Sequence, residues 1–547
     1  MTADRTETAA PGFTATGAPS GSAHRDSAMD ETAELPVTMR VPTVRDGQAT
    51  ETAEPSSPAV EPPAGRLPRG AVLWSYVLTI GRFGTTAGVT IVMAKFLEPA
   101  DYGLVALAMV WVTFAQSLSL HGTVQAIVQR EEVDDSHFDA AFWTTAGTGV
   151  ALAAVFAIAV PLWAGLNQTP DLIPICLALA PVMVLNATVV VPDAILRRQL
   201  KFRSLSVRWL LAGLVSGVVG IVGAIIGWGV WALVAQQLVM TTFSAVAVWI
   251  AVQWRPRFRR IGPALRELRQ YSLHSLSGFF AYFVAMRTDA LLLGPLFGPT
   301  AIGLYRFITR IPEMLNDVAT GGLAQVAMPH LSRAAPSREE FDRYAARYIH
   351  TGTLIAYPAL GVLFAVGPLF LQWIGPQWTP AGSAFQVLCV AMAAVALGPL
   401  MGAIYQAAGR PDTLAAINWA SAAATVAGML VAGALFHDAD PGTQVLAIAT
   451  TFAILQWVTT IVALALMFSQ VMIRSMAAGL RPSLPAAVAA VAAGAAGPAV
   501  RPLLHGTNAT VGLIVTGVVA AAAGLAVLTA TEREVSTRVA RIVRGRR

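Results

Sequence analysis

Charged residues are scarce in this sequence. Only 12% of its 547 residues are Asp, Glu, Lys or Arg, and 55% are hydrophobic, whereas a soluble globular protein carries about 25% charged residues. The core of a water-soluble protein cannot absorb this much apolar sequence, but a lipid bilayer can. The composition therefore excludes a soluble globular protein and indicates an integral membrane protein.

Cysteine is equally scarce, and familiar catalytic motifs are missing. The two cysteines, Cys176 and Cys389, both lie inside apolar stretches, which excludes a disulfide framework or a cysteine-based metal site. The chain has no glycine-rich phosphate-binding loop and no Ser/His/Asp or metal-ligand spacing. We therefore expect no metal, no cofactor and no enzymatic activity.

The net charge of +6 hides an asymmetry between the first 65 residues and the rest of the chain. Residues 1–65 carry a net charge of −6 and few large apolar side chains, so we expect a disordered tail. The remaining residues carry +12. In a membrane protein such basic residues indicate cytoplasmic loops that face anionic lipid, so we expect membrane lipids and no nucleic acid as partners.

Apolar stretches follow one another from residue 71 onward, and a spanning helix needs about 20 residues. The sequence predicts an all-α, polytopic membrane protein with fourteen spans, or twelve if the last two, rich in Ala, Val and Gly, do not cross. The predicted spans are 71–95, 103–121, 140–165, 172–191, 209–228, 231–253, 271–297, 301–328, 349–372, 382–407, 413–436, 443–468, 482–500 and 509–530.

The loop charges predict the orientation. Nineteen Lys and Arg residues lie in the loops that join an even-numbered span to the next odd-numbered one. Only Lys95 and Arg501 lie in the other loops. Because cytoplasmic loops carry the excess of Lys and Arg, we predict a multi-pass protein of the plasma (inner) membrane with both termini in the cytoplasm.

The chain matches itself at an offset of 200 residues. KFLEPADYGL (95–104) aligns with PLFGPTAIGL (295–304), so that Pro99 meets Pro299 and Gly103 meets Gly303. Similar hairpin turns would explain the match, but two parallel six-helix bundles with the substrate path between them would explain it better. The predicted organisation is a cytoplasmic tail (1–65), an N-terminal bundle (66–254), a basic linker (255–270), a C-terminal bundle (271–470), two additional helices (471–530) and a basic tail (531–547).

The same segments carry a family resemblance. The stretch KFLEPADYGLVAL (95–107), with QAIVQR (125–130) and AAFW (140–143), resembles the first hairpin of Wzx-type polysaccharide transporters. In the second half RTDALLLG (287–294), GLY (303–305) and PHLSR (329–333) are similar to that family too. The family belongs to a larger group with multidrug antiporters and peptidoglycan-precursor flippases. The resemblance implies a flippase that moves a polyprenyl-diphosphate-linked oligosaccharide from the inner to the outer leaflet, for cell-surface polysaccharide or lipopolysaccharide biosynthesis. It also implies a polysaccharide polymerase or glycosyltransferases as partners.

Several charged residues fall inside predicted spans, where charges are costly and face protein or a water-filled cavity. Those of the eighth span lie within about 60° of one another on a helix and form one polar stripe. Arginine presents a planar fork that matches phosphate oxygens. The candidate substrate-binding residues are Arg82, Arg287, Arg306 and Arg310, and the candidates for pairing with them or binding a coupling ion are Asp289, Glu313 and Asp317. A static network of intramembrane ion pairs is the alternative.

Two other functions stay open. A multidrug or ion antiporter would share the predicted fold, but four arginines inside the spans disfavour a cationic drug. A membrane glycosyltransferase or polymerase would need an active site outside the bilayer, usually on a sizeable soluble loop. The predicted loops are about twenty residues or shorter, which disfavours such an enzyme.

Overall fold

The computed structural model describes residues 81, 84–129, 135–199, 202–257, 292–504, 508–532 and 536–537, and these residues are helical except for short connections. Among them no β-strand occurs. The helices are α1 (Gly84–Ala94), α2 (Pro99–Gln129), α3 (Asp135–Leu166), α4 (Leu172–Arg198), α5 (Phe202–Ile225), α6 (Val230–Ala251), α7 (292–316), α8 (Gly322–Ala334), α9 (Arg338–Ile374), α10 (Gly382–Val395), α11 (Gly398–Ala407), α12 (Pro411–Phe436), α13 (Pro441–Gln470), α14 (Met476–Leu480), α15 (Leu484–Val500) and α16 (Ala509–Thr531).

The all-α membrane fold is confirmed. Among the described residues eleven helical segments are long and apolar enough to cross a membrane, and α1 is a shorter apolar helix. The predicted seventh span lies largely outside the described residues, and the predicted first span is described only at Gly81 and from Gly84 onward. The predicted eighth span, 301–328, is helical but is not among the eleven apolar segments. The count of fourteen, or twelve, therefore stays a prediction. The two-bundle division also stays a prediction, and the tail 1–65 and most of the segments 255–270 and 531–547 lie outside the described residues.

Local sequence sets the helix ends. α2 begins at Pro99, which has no N–H to leave unsatisfied, and carries Asp101 in its first turn. The side chain of Ser337 caps α9 by accepting a hydrogen bond from Glu340 N. Gly298 has a φ of +76°, which glycine tolerates, at the predicted boundary between the seventh and eighth spans. Residues 292–316 are nevertheless assigned as continuous helix, so the turn predicted before Pro299 is not seen as a break in α7.

Two predicted spans are less regular than the sequence suggests. The span predicted at 382–407 divides into α10 and α11, because Pro399 in the first turn of α11 has no N–H to continue the preceding helix. The span predicted at 301–328 contains a π-helical segment, Asp317–Gly321, between α7 and α8. Such π turns are frequent at functional sites.

The helices pack in neighbouring pairs. In the first part α3 packs along α4 and α5 along α6, and in the second α10 and α12 both pack on α13. The two late helices α15 and α16 both pack on α9. A Cβ added at Gly361 would lie only 2.3 Å from Ala490 O, so the α9–α15 contact needs glycine there, as small residues allow in membrane helices.

Candidate functional site

A cavity of about 200 Å³ lies between α2 and α7. Each helix contributes a face of four residues spaced i, i+3, i+4 and i+7, which share one side of a helix. The lining residues are Ala106, Met109, Val110 and Thr113 of α2, and Arg306, Thr309, Arg310 and Glu313 of α7.

The two cavity walls are related by the sequence repeat. Every lining residue of α2 has a counterpart two hundred positions later in α7, so that Ala106 aligns with Arg306 and Val110 with Arg310. The offset found near Pro99 therefore relates the two walls by position, although none of the four pairs is identical. The walls differ in chemistry, because the α2 wall is apolar apart from Thr113, whereas the α7 wall carries two arginines and one glutamate.

Three of the predicted site residues come together in this cavity. Arg306 and Glu313 are half-buried, and Arg310 is exposed. Asp317 is not among the lining residues, and it begins the π-helical segment, where its side chain is exposed. Arg306, Glu313 and Asp317 each have an interaction partner. The other predicted site residues, Arg82, Arg287 and Asp289, lie outside the described residues.

The π-helical segment faces a second helix break. Asn316, which is buried, donates a hydrogen bond of 2.8 Å from Nδ2 to Met392 O, one turn before α10 ends. Ala319 and Ala396, which lie at the two breaks, belong to one small buried cluster. The sequence reasoning missed this pairing, and the Gly-Pro pair at 398–399 was the signal for the second break.

Two buried aspartates occupy equivalent places near the helix starts. Asp139 is the fifth residue of α3 and Asp342 is the fifth residue of α9. Asp139 Oδ1 accepts a hydrogen bond of 3.0 Å from Arg257 N, just after α6. Asp342 accepts hydrogen bonds from Ile473 N and from Arg474 Nε, just after α13. The sequence reasoning missed both, because each partner is more than a hundred residues away.

The described residues contain no group of three or more His, Cys, Asp or Glu side chains that could hold a metal ion. Both cysteines are buried and unbonded. The arginine donors of the cavity are suited to charge-assisted hydrogen bonds with an anionic group.

A family model described as polysaccharide biosynthesis protein matches residues 92–383. Two curated relatives are similar over much of the chain. The succinoglycan biosynthesis transport protein ExoT of Rhizobium meliloti (strain 1021) is 24% identical over 312 residues, which cover 56% of this chain and 63% of that protein. The lipopolysaccharide biosynthesis protein WzxC of Escherichia coli (strain K12) is 23% identical over 364 residues, covering 62% of this chain and 70% of that protein.

The fold is similar to that of a solved transporter structure. The lipid II flippase MurJ in an inward closed conformation superposes with a TM-score of 0.66 at 12% sequence identity. The match covers 85% of this chain and 99% of that one. At this identity the likeness establishes the fold alone.

Proposed function

Because the chain belongs to the polysaccharide biosynthesis protein family, which confirms the resemblance seen in the sequence, we propose that it is a transporter for a lipid-linked oligosaccharide. It moves a polyprenyl-diphosphate-linked glycan from the inner to the outer leaflet by alternating access. The names of the relatives ExoT and WzxC and the fold shared with a lipid II flippase support this proposal.

The cavity with two unlike walls is the observation that carries the proposal. Arg306 and Arg310 offer charge-assisted hydrogen bonds to phosphate oxygens. Met109 and Val110 on the opposite wall provide apolar surface that suits an apolar part of a substrate. A lipid-linked glycan joins an anionic diphosphate to apolar and polar parts, so one substrate satisfies both walls. A cationic drug would be repelled by the arginines.

Glu313 gives the cavity an internal counter-charge. It lies one turn from Arg310 on the same face, a spacing at which side chains interact. In the empty transporter we propose that Glu313 offsets the charge of the arginines, and that the substrate diphosphate takes its place. Asp317 and Asp289 are further acids proposed for charge pairing or ion coupling, and Arg82 and Arg287 are further proposed contacts for the diphosphate.

The remaining features follow from the same proposal. A protein that only moves its substrate needs no catalytic residues and is not an enzyme. From the arginine distribution we propose that both termini lie in the cytoplasm. A polymerase or glycosyltransferase that acts on the same lipid-linked glycan is the proposed protein partner.

The test is transbilayer movement of a fluorescent polyprenyl-diphosphate oligosaccharide in proteoliposomes. We expect wild-type protein to move it, and the double substitution Arg306→Ala with Arg310→Ala to abolish movement. Hydrogen bonds to charged groups contribute about 1.5–3 kcal/mol each, so each single substitution should weaken binding roughly ten- to a hundredfold. Lysine at both positions should restore part of the movement, because it keeps the charge without the planar fork.

Arg347→Ala is the matched control, since Arg347 is an exposed arginine outside the cavity. Movement that survives the double substitution in folded protein would contradict the role of the arginines. Failure of the wild-type protein to move any polyprenyl-diphosphate glycan, together with gradient-driven uptake of a small ion or drug, would contradict the proposed function itself.

A further inference from the structure

The two copies of the sequence repeat touch each other reciprocally beside the cavity. A Cβ added at Gly103 would lie 1.9 Å from Pro299 O, and a Cβ added at Gly303 would lie 1.6 Å from Pro99 O. Each glycine thus lies against the backbone of the proline that belongs to the other copy. Only glycine permits this approach, in which Cα–H groups face carbonyl oxygens.

An aromatic cluster surrounds this crossing. The rings of Tyr102, Phe307 and Trp378 lie within 4.1–5.7 Å of one another between centroids. Trp378 is fully buried, and its indole Nε1 donates a hydrogen bond of 2.8 Å to Ala94 O at the end of α1. The three aromatic residues come from α2, α7 and the 3₁₀ segment Pro376–Ala381, so they close the space around the glycines.

The crossing lies at the end of the helices that the arginine distribution predicts to face outside, and we call this the outer end. Along α2 and α7 the cavity begins one turn beyond Gly103 and Gly303, on the side away from that end. A single large buried cluster joins residues of both sequence halves near the crossing, including Ala94, Leu293 and Trp378.

The opposite ends of the helices have separate cores. One buried cluster includes Ala140, Leu196 and Val252 of the first half, and another includes Leu331 and Met467 of the second half. The two clusters have no residue in common. The halves are therefore packed together near the outer end and have separate buried cores at the other end.

We propose that the reciprocal crossing of Gly103 and Gly303 is the outer gate of the transporter, and that it must part each time the cavity opens outward. That the cavity opens outward rests on the proposed function, whereas the assignment of Gly103 and Gly303 to the gate rests on the contacts described above. The crossing consists of backbone contacts. Because residues 295–304 include no charged side chain, it can open without separating an ion pair. Because the two contacts are related by the repeat, a side chain added at either glycine should push the same two backbone segments apart and favour the open gate.

The test measures access to the cavity from outside. Cys176 and Cys389 are replaced by alanine, and Thr113→Cys in the α2 wall supplies a single reporter thiol. A membrane-impermeant maleimide is added to intact spheroplasts, and the labelling rate is compared with that in inside-out vesicles. In the otherwise unchanged protein we expect slow labelling from outside and fast labelling from inside.

Gly103→Ala and Gly303→Ala should each speed labelling from outside. A bias of 1.4 kcal/mol toward the open gate corresponds to a tenfold change in population, so we expect a rise of roughly tenfold. Gly147→Ala is the matched control, because a Cβ there meets nothing within 4 Å, and it should leave the rate unchanged. If the alanine variants do not assemble, Phe307→Leu removes one ring around the gate and should speed labelling in the same direction.

Two results would overturn the gate. One is fast labelling from outside in the protein with both glycines intact. The other is a folded Gly103→Ala or Gly303→Ala variant that labels no faster than the Gly147→Ala control. Labelling needs no substrate, so the gate can stand if the proposed glycan substrate fails, and the substrate can stand if the gate fails.

Discussion

Removal of the Asp342 carboxylate should destabilise the second part of the chain. Its Oδ2 accepts a hydrogen bond of 2.5 Å from Arg474 Nε, and its Oδ1 accepts bonds of 3.2 Å and 3.5 Å from the backbone N–H groups of Ile473 and Arg474. The side chain of Asp342 is 8% exposed. Asp342→Ala would therefore leave partly buried N–H groups without their acceptor.

The size of the effect follows from these contacts. A hydrogen bond to a charged group contributes about 1.5–3 kcal/mol, and an unsatisfied buried group costs about 1–3 kcal/mol. Because the Arg474 side chain is 33% exposed, water partly replaces its lost partner, and the low end of the first range applies. We expect Asp342→Ala to lower the free energy of unfolding by about 3 kcal/mol, and Asp342→Asn, which keeps one acceptor, by about half as much.

The chain provides its own unfolding signal, since both native cysteines are buried, with exposures of 0% and 2%. A fluorogenic thiol reagent therefore reports the Tm of purified protein. Asp412→Ala is the matched control, because Asp412 is an exposed acid in the first turn of α12 and surface changes usually stay within about 0.5 kcal/mol. A Tm of Asp342→Ala equal to that of Asp412→Ala would refute the assignment of Asp342 as a structural anchor.

Changes at three further positions test other contacts by the same thermal assay. Trp378→Phe should lower the free energy of unfolding by about 1 kcal/mol, because the indole hydrogen bond is lost. Trp378→Ala should lower it by about 3–5 kcal/mol, because the substitution also leaves a cavity. Equal losses of stability in the two variants would contradict a packing role for the ring. Gly361→Val should lower the Tm by forcing α15 away from α9, whereas Gly165→Val, at a glycine with open space around it, should not. The hydroxyl and N–H of Thr443 donate hydrogen bonds to the Asp440 carboxylate and lower its pKa below the ordinary value of 3.8. The ionised carboxylate therefore stabilises α13 fully at pH values above 3.8. This stabilisation is lost as the pH falls through the lowered pKa. Asp440→Ala should therefore lower the Tm at pH 7 and have a smaller effect once the pH lies below the lowered pKa. A difference in Tm that stays the same size in acid would contradict this.

The sequence predicted the parts of the site that depend on local pattern. Arg306, Arg310 and Glu313 were placed on one helical face by spacing alone, and the structure puts all three in one cavity. Asp317 was assigned to the same stripe, but it does not line the cavity and begins a π-helical segment instead. The helical period of 3.6 residues holds only while the hydrogen-bond pattern stays regular, and nothing in the local sequence marks this change strongly.

The repeat shows the same division between pattern and packing. In the sequence Pro99 and Gly103 align with Pro299 and Gly303, and this alignment predicted similar hairpin turns. Only the folded chain brings the two turns into contact, because reciprocal approach depends on how the two helices cross. The structural roles of the buried acids Asp139 and Asp342 could not be predicted for a related reason. Their hydrogen-bond partners follow α6 and α13 in the sequence and lie beside them only in the tertiary structure.

The amino-acid sequence by itself determined that this is a multi-pass helical membrane protein, because scarce charge and repeated apolar stretches leave no other solvent for the side chains. It also determined the family and the face of α7 that carries the arginines. The tertiary structure decided which wall faces those arginines, where the π-helical segment lies, and which residues pack together at one end of the cavity. The first and the last of these depend on contacts between segments some two hundred residues apart, and such contacts are set by packing rather than by local pattern.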